Sequence, residues 1–335
     1  MAEIIPLKIS GIGYSLPKTV VTNNDLTKLY DTSDEWIYTR TGIKERRLVS
    51  GNESAIDLGL EAAKNAFDKA NIKPEELDLI ISASSAPPKL YPAIACQLHE
   101  KLGITRPIPA FDLTAACSGL IYALSIAKAY IGMGMYKKIL LVATDNNSRL
   151  LDWTDRSTSI LFGDGAGAMV VEASDDGVDD IIAIDIEADG NYGHLIDLPF
   201  NGDNCPLVEP NDKEESKIRM NGRGVYSFVV KILPNYVDNL VKNAGLTPDD
   251  IDYLIPHQAN IRIIQAVQER LGIPDDKVIT NLKYYGNTSA ASIPIALAES
   301  VEKGKIELDK TAILCGFGAG MTWGGAIVRL RKGIC

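Results

Sequence analysis

Short apolar runs alternate with helix-like segments along most of this 335-residue chain, and this alternation strongly limits its possible folds. Residues 77–83, 138–143 and 168–171 are mostly apolar and predict buried strands, whereas residues 53–70 have the spacing of an amphipathic helix. Strands buried on both faces need helices on either side of their sheet. The pattern therefore predicts an α/β protein.

The same order of features occurs twice along the chain. In the first half a predicted helix begins at Cys117, and a strand and the glycine-rich run 162–167 follow it. In the second, a predicted helix begins at residues 287–289, and a strand and the glycine-rich run 316–320 follow. The acidic, turn-rich segment 172–177 separates the two. We therefore expect a duplicated α/β unit.

The boundary gives an N-terminal half, residues 1–173, and a C-terminal half, residues 174–335. The first carries Cys117, and the second carries His257 and Asn287. The helices predicted after Cys117 and after Asn287 are apolar nearly all round, which is typical of buried helices. Two buried helices with reactive or polar residues at their starts predict one site shared by the halves.

Cys117 lies where an apolar strand leads directly into an apolar helix. Unpaired N–H groups and the helix dipole at a helix N-terminus favour an anion. Such a position lowers a thiol pKa from about 8.5, and the thiolate is the reactive form of cysteine. We interpret Cys117 as a nucleophile, with an inert buried cysteine as the alternative.

His257 and Asn287 are the other candidates for chemistry. His257 follows a predicted strand, where α/β proteins place ligands, although a structural histidine is equally consistent with this position. Asn287 lies in a Gly-Asn-Thr-Ser run that is also ordinary turn and capping sequence. If Thr288 or Ser289 caps the helix, the Asn287 amide is available to donate to an oxyanion.

The second glycine-rich run argues against a nucleotide cofactor. Gly318 and Gly320 have the first spacing of a dinucleotide loop, but Trp323 stands at the third glycine position. A nicotinamide-dependent oxidoreductase is therefore disfavoured. The run indicates close backbone approach, with N–H groups offered to a substrate oxygen.

Charge and cysteine usage exclude other classes. The net charge of −10 argues against general nucleic-acid binding, and no apolar run is long enough to cross a membrane. The N-terminus lacks the pattern of a secretory signal, so we expect a cytoplasmic protein. The five cysteines form no CxxC pair, and we expect no metal site and no cofactor.

Taken together, these segments resemble β-ketoacyl-acyl carrier protein synthase III, the initiating condensing enzyme of bacterial fatty-acid synthesis in the thiolase superfamily. The resemblance runs nearly end to end. The matching motifs are DTSDEW (31–36), RTGI (40–43), AACSG (115–119), DR (155–156), FGDGAG (162–167), PHQANIR (256–262) and GNTSAAS (286–292).

The resemblance implies a homodimer of thiolase-like duplicated α/β halves in five layers, α-β-α-β-α. It implies that Cys117 takes the acyl group from an acyl-CoA and that the N–H groups of Cys117 and Ala319 form the oxyanion hole. His257 and Asn287 would hold the thioester carbonyl of malonyl-acyl carrier protein as it decarboxylates. Acyl-CoA and malonyl-carrier protein are then substrates. The usual glycine is replaced by Ala319 in this chain.

The resemblance also implies binding residues. Trp36 and Arg156 would sandwich the CoA adenine, with Arg40 and Asn260 along the rest of the CoA. Tyr91 falls where a partner's phenylalanine often closes the acyl pocket. The carrier protein would contact the segment Gln258, Ala259, Asn260, Ile261 and Arg262.

Two alternatives within the superfamily stay open to test. A specialised-metabolite homologue that transfers acyl groups without elongation is disfavoured by the presence of Asn287 beside His257. A non-catalytic partner of the chain-length-factor kind is disfavoured by the presence of Cys117.

Overall fold

The computed structural model describes residues 4–200, 205–209 and 216–334. The strands are β1 (Leu7–Ser15), β2 (Thr19–Thr22), β3 (Glu45–Leu48), β4 (Leu79–Ala83), β5 (Ala110–Leu113), β6 (Lys138–Asp145), β7 (Gly165–Ala173), β8 (Ile181–Ala188), β9 (Ile196–Asp197), β10 (Arg219–Met220), β11 (Tyr253–Pro256), β12 (Lys310–Gly318) and β13 (Thr322–Leu330). The helices are α1 (Asn23–Leu26), α2 (Asp34–Thr41), α3 (Ala55–Ala70), α4 (Ile94–Lys101), α5 (Gly119–Gly132), α6 (Arg156–Ser159), α7 (Gly222–Asn243), α8 (Ile261–Leu271), α9 (Leu282–Tyr285) and α10 (Ser292–Glu302).

The first sheet has the strand order β1-β7-β6-β4-β5. Its strands β6, β4 and β5 are parallel, with Ala83 of β4 opposite Ala143 of β6 and Leu113 of β5. The carboxyl ends of these three strands therefore lie side by side at one edge. The loops that leave this edge carry Cys117 after β5 and further polar residues after β4 and β6.

The second sheet has the strand order β11-β12-β13-β8. Only β11 and β12 are parallel, and their carboxyl ends lead to His257 and to the glycine-rich run. The strands predicted from apolar runs are confirmed in both sheets. The strands β6 and β7 extend beyond the predicted bounds because hydrogen bonding continues past the predicted runs, whereas β4 begins two residues later than predicted, at Leu79.

Two helices separate the sheets. Both α5 and α10 contact strands of each sheet, and their buried residues form one apolar core with them, including Leu124, Ile131, Ile293 and Leu297. On the outer faces, α3 and α4 cover the first sheet, while α7 and α8 cover the second. The expected five layers are confirmed.

The two central helices begin in the same way. A 3-10 turn, Ala116–Ser118, precedes α5, and another, Ser289–Ala291, precedes α10. Each turn opens with a non-glycine residue at positive φ, 46° at Ala116 and 55° at Ser289. Such a conformation is strained and persists only where the surroundings hold it, typically at functional sites. Cys117 thus lies in a turn before the helix, not in its first α-helical turn.

The boundary after residue 173 stays a prediction, and the change of sheet between β7 and β8 agrees with it. In the described residues no helix combines the length and the apolar character needed to cross a membrane.

Candidate functional site

One cavity of about 850 Å³ contains the three side chains expected to carry the chemistry. Cys117, His257 and Asn287 all line it, although the turn before α5, the end of β11 and the turn before α10 supply them separately. Trp36, Arg40, Asn260 and Ala319 line the same cavity. The prediction that both halves contribute to one site therefore agrees with this geometry.

The Cys117 thiol is directed at the second central helix. Its Sγ donates a hydrogen bond to Oγ of Ser289 at 3.4 Å. Burial raises the pKa of the Cys117 thiol to about 12, and the Ser289 hydroxyl acts in the opposite direction. The expectation of a lowered pKa is wrong for this structure, because the thiol is withdrawn from solvent and the nearby Asp145 carboxylate opposes a second anion.

The glycine-rich run after β12 packs closely against the backbone of the nucleophile, Cys117. A Cβ on Gly318 would lie only 2.5 Å from the backbone nitrogen of Cys117 and 2.7 Å from Cβ of Ala116. No side chain fits there, so glycine is required for this approach. Ala319, the next residue, lines the cavity. The run therefore brings a second backbone segment to the nucleophile, as the sequence predicted.

His257 is held by a serine of the other central helix. Its Nδ1 and the Oγ of Ser292 lie 2.7 Å apart, and the same Oγ accepts the N–H of Gln258 at 3.3 Å. The ring is only 2% exposed, and its Nε2 has no hydrogen-bond partner in the described chain. Burial lowers the pKa of His257 to about 3, so the ring is neutral at physiological pH.

The Ser292 contacts fix which ring nitrogen carries the proton. Its hydroxyl has one proton to donate, and among the described residues Nδ1 of His257 is the acceptor within reach. A hydroxyl that donates to Nδ1 leaves the imidazole proton on Nε2. His257 therefore presents a neutral N–H donor to the cavity.

Asn287 is oriented by backbone groups. Its Oδ1 accepts the N–H of Ser289 at 2.8 Å, which leaves the NH₂ group for the Cys117 thiol, whose pKa the Asn287 side chain lowers by hydrogen bonding. The backbone of Asn287 is hydrogen-bonded on both sides, to Leu161 at 2.8 Å and to Gly163 at 2.9 Å. The first glycine-rich run thus positions Asn287, a role that sequence reasoning did not assign to it.

Trp36 is stacked by two arginines. The guanidinium carbons of Arg40 and Arg156 each lie 4.5 Å from the centre of its ring. A purine inserted between Trp36 and Arg156 needs about 7 Å, two van der Waals contacts. Arg156, which also donates to the carbonyl of Asp31, therefore occupies the place expected for the adenine and must move to admit one.

The segment expected to contact a carrier protein divides into buried and exposed residues. Gln258 is completely buried, and its amide bonds the backbone of Pro256 and accepts the N–H of Asn281. The expectation that its side chain meets a partner protein is corrected: it anchors the loop after β11. Arg262 is exposed at the start of α8.

The other residues of the segment fasten α8 to α2. The Asn260 side chain caps α8 through the N–H of Arg262 and donates to the carbonyl of Arg40 at 3.1 Å. Ile261 packs against Gly42, and Ala259 lines the cavity. Asn260 therefore joins the cavity wall to the Trp36 region.

Tyr91 does not line the cavity of its own chain. Its side chain is 84% exposed, next to Leu90 at 62%.

Across the described ranges, no three His, Cys, Asp or Glu side chains are grouped so as to hold a metal ion. Four cysteines are unpaired, and the fifth, Cys335, lies outside the described residues.

Sequence comparison identifies relatives along the whole chain. The family description 3-oxoacyl-[acyl-carrier-protein (ACP)] synthase III matches residues 111–190, and its C-terminal counterpart matches residues 241–330. The β-ketoacyl-[acyl-carrier-protein] synthase III of Clostridium acetobutylicum is 44% identical over 326 residues, covering 97% of this chain and 99% of the relative.

Solved structures agree. The crystal structure of 3-oxoacyl-[acyl-carrier-protein] synthase III from Aquifex aeolicus has a TM-score of 0.87 and 44% identity, covering 96% of this chain and 99% of that one. The priming β-ketosynthase of the R1128 polyketide pathway has a TM-score of 0.90 at 32% identity, covering 99% of this chain and 98% of that one. With the fold and the sequence in agreement over nearly the full length, this chain belongs to the β-ketoacyl-acyl carrier protein synthase III family, the condensing acyltransferases of fatty-acid biosynthesis.

Proposed function

We propose that this protein joins an acyl-CoA primer, acetyl or another short or branched acyl group, to malonyl-acyl carrier protein. The products are CoA, carbon dioxide and a β-ketoacyl-carrier protein. The supporting observation is that one cavity holds a thiol together with two N–H donors, His257 and Asn287. Acyl transfer needs a nucleophile, and decarboxylation needs donors for an enolate oxygen.

In the first half-reaction the sulfur of Cys117 attacks the acyl-CoA carbonyl carbon. The bond between that carbon and the CoA sulfur then breaks. Because the pKa of the Cys117 thiol is raised, the thiol loses its proton only as the sulfur attacks. The hydrogen bond from the thiol to Ser289 sets the direction in which this proton leaves. The proton ends on the CoA thiol. The N–H groups of Cys117 and Ala319 hold the oxyanion, a role supported by the close approach of Gly318.

In the second half-reaction the malonyl thioester loses carbon dioxide. The electron pair of the broken carbon–carbon bond becomes an enolate, whose oxygen accepts hydrogen bonds from Nε2 of His257 and the amide of Asn287. The enolate carbon attacks the acyl carbon on Cys117, and the sulfur departs and takes a proton from solvent. The charge is held by N–H donors in a water-poor site, so the proposal requires no cofactor.

We place the CoA nucleotide at Trp36, with Arg156 moving from the ring to stack on the far side of the adenine. Arg40 supplies positive charge beside the same ring, and Asn260 lies along the pantetheine arm. The exposed Arg262 offers a positive charge to an acidic carrier protein. Entry of both substrates by one route agrees with a cavity that reaches from Trp36 to Cys117.

We also propose that two copies pair through β5. This strand is an edge of the first sheet and bonds only β4 among the described residues. An open edge is a template for another strand, and Tyr91 and Leu90 project into solvent from the loop after β4. In such a homodimer, Tyr91 of one copy closes the acyl end of the other copy's cavity.

The unpaired cysteines suit a cytoplasmic location.

The reaction is tested with acetyl-CoA and malonyl-carrier protein labelled in the free carboxyl group. We expect one carbon dioxide for each β-ketoacyl-carrier protein seen by mass spectrometry, and sedimentation should give the mass of a dimer. Acyl transfer without carbon dioxide release, or release without a new carbon–carbon bond, contradicts the proposal and favours a specialised acyltransferase.

Gly318→Ala is expected to slow acylation of Cys117 by about a hundredfold or more, the scale of losing one oxyanion donor. The new methyl group must displace the backbone nitrogen of Cys117. Gly190→Ala is the control, because a Cβ there meets nothing within 4 Å. Rapid-quench measurement of acyl-enzyme formation compares the two, and an unchanged rate in Gly318→Ala refutes this packing.

Ser292→Ala is expected to slow decarboxylation by about tenfold, the scale of one hydrogen bond, while acylation of Cys117 proceeds. Loss of the hydroxyl frees the imidazole to place its proton on Nδ1, where it cannot donate to the enolate. Ser300→Ala, a buried serine on the same helix, controls for helix damage. Equal loss of both half-reactions indicates a merely structural role, whereas recovery in Ser292→Thr supports the assignment.

A further inference from the structure

The cavity contains a buried amide that the reaction described above does not use. Asn147 lines it together with Cys117 and is only 3% exposed. Its Nδ2 is fully shielded from solvent and has no hydrogen-bond partner in the described ranges. An unpaired buried polar group costs about 1–3 kcal/mol, so such a group in a cavity wall indicates a ligand atom that pairs with it.

The position of Asn147 relative to Cys117 follows from strand register. Leu113 of β5 and Ala143 of β6 both lie opposite Ala83 of β4, and Cys117 and Asn147 each follow four residues later. Two strand spacings separate β5 from β6, about 10 Å. The two side chains take up part of this backbone separation, so a short acyl group on the Cys117 sulfur is long enough to reach the Asn147 amide.

Ser85 gives this wall a second polar atom. It follows β4, between the loops that carry Cys117 and Asn147, and its buried Oγ also lacks a partner in the described part of the chain. Its backbone N–H donates to Asp145, two residues before Asn147. The two unpaired groups therefore come from neighbouring strand ends and line one part of the cavity.

Given the proposed acyl transfer to Cys117, we propose that Asn147 selects primers whose acyl group carries an oxygen near its third carbon, as a β-hydroxyacyl or β-ketoacyl group does. The Asn147 amide donates a hydrogen bond to this oxygen. Where the oxygen belongs to a hydroxyl group, that group also bonds the Ser85 side chain in the same cavity wall. A hydrocarbon chain of the same shape leaves both polar groups unpaired. The selectivity is therefore a cost against the hydrocarbon as much as a gain for the oxygenated group.

The test compares β-hydroxybutyryl-CoA with isovaleryl-CoA, which replaces the hydroxyl by a methyl group of similar size. We expect wild-type kcat/KM to favour β-hydroxybutyryl-CoA, in the better of its two enantiomers, by about tenfold. Asn147→Leu, nearly isosteric and apolar, is expected to reverse the preference. Its unfolding temperature should equal or exceed that of the wild type, because an unpaired amide is replaced by an apolar group.

Other outcomes overturn the inference. Equal kcat/KM values of the wild type for the two primers, or an unchanged ratio of these values in Asn147→Leu, show that the Asn147 amide does not determine primer preference. If Tyr91→Phe abolishes the preference while Asn147→Leu keeps it, the tyrosine hydroxyl is responsible instead. Failure of every acyl-CoA to label Cys117 refutes the proposed function, whereas labelling by isovaleryl-CoA without preference for oxygen refutes this inference alone.

Discussion

Cys117→Ser is expected to lower the condensation rate by at least about a thousandfold, as loss of a covalent nucleophile does in other enzymes. The serine hydroxyl is far harder to ionise than a thiol, and the position offers no strong base, since His257 is neutral and bonded to Ser292. The measurement is mass spectrometry of the intact protein after incubation with acetyl-CoA. The acetyl adduct of the wild type should be absent from the variant.

A matched control is available in Cys96→Ser, because Cys96 is an exposed free thiol outside the cavity. This variant should acylate at the wild-type rate. The fold of Cys117→Ser should persist, since serine preserves the shape of the side chain and can still bond Ser289. An acetyl adduct that remains in Cys117→Ser, and maps to another residue, contradicts the assignment of the nucleophile.

The parts of the fold that follow from apolar burial could be predicted from the sequence. The run 138–143 becomes β6, and the helix predicted over 53–70 becomes α3, which begins two residues later at Ala55. Both elements are specified locally, by continuous burial in one case and by helical spacing in the other. The repeated order of helix, strand and glycine-rich run was likewise visible in the sequence.

The geometry of the site depended on contacts between distant segments. The sequence around Ala116 and Ser289 has no pattern that predicts a positive φ. Both helices were therefore predicted to begin a few residues before their observed starts. The thiol pKa was expected to fall because only the helix terminus was considered, whereas burial against Asp145 is a tertiary effect. Ser292, Gln258 and Asn147 were present in the sequence without a signal for their roles.

The second central helix, α10, and the turn before it position the reactive groups. The turn before α10 supplies Ser289, which bonds the nucleophile and orients Asn287, and the first residue of α10 supplies Ser292, which orients His257. One rigid element therefore sets the relative placement of all three side chains. Its burial between the two sheets explains how donors from separate loops are kept within reach of one sulfur.

His257→Ala and Asn287→Ala are each expected to lower malonyl decarboxylation by about a hundredfold to a thousandfold, as removal of one oxyanion donor does. Each variant loses an N–H that the enolate oxygen needs in the transition state. Neither group is the nucleophile, so acyl transfer from acetyl-CoA to Cys117 should continue. Carbon dioxide release and acyl-enzyme formation are measured separately on each variant.

His99→Ala serves as the matched control, because His99 is a half-buried histidine outside the cavity whose ring bonds the backbone carbonyl of Arg106. It should leave both half-reactions unchanged. A variant of His257 or Asn287 that condenses at the wild-type rate shows that its N–H does not hold the enolate. Loss of acylation together with decarboxylation in both variants points instead to activation of the thiol. Only the separation of the half-reactions supports the division between Cys117, which carries the acyl group, and the two donors that stabilise the enolate.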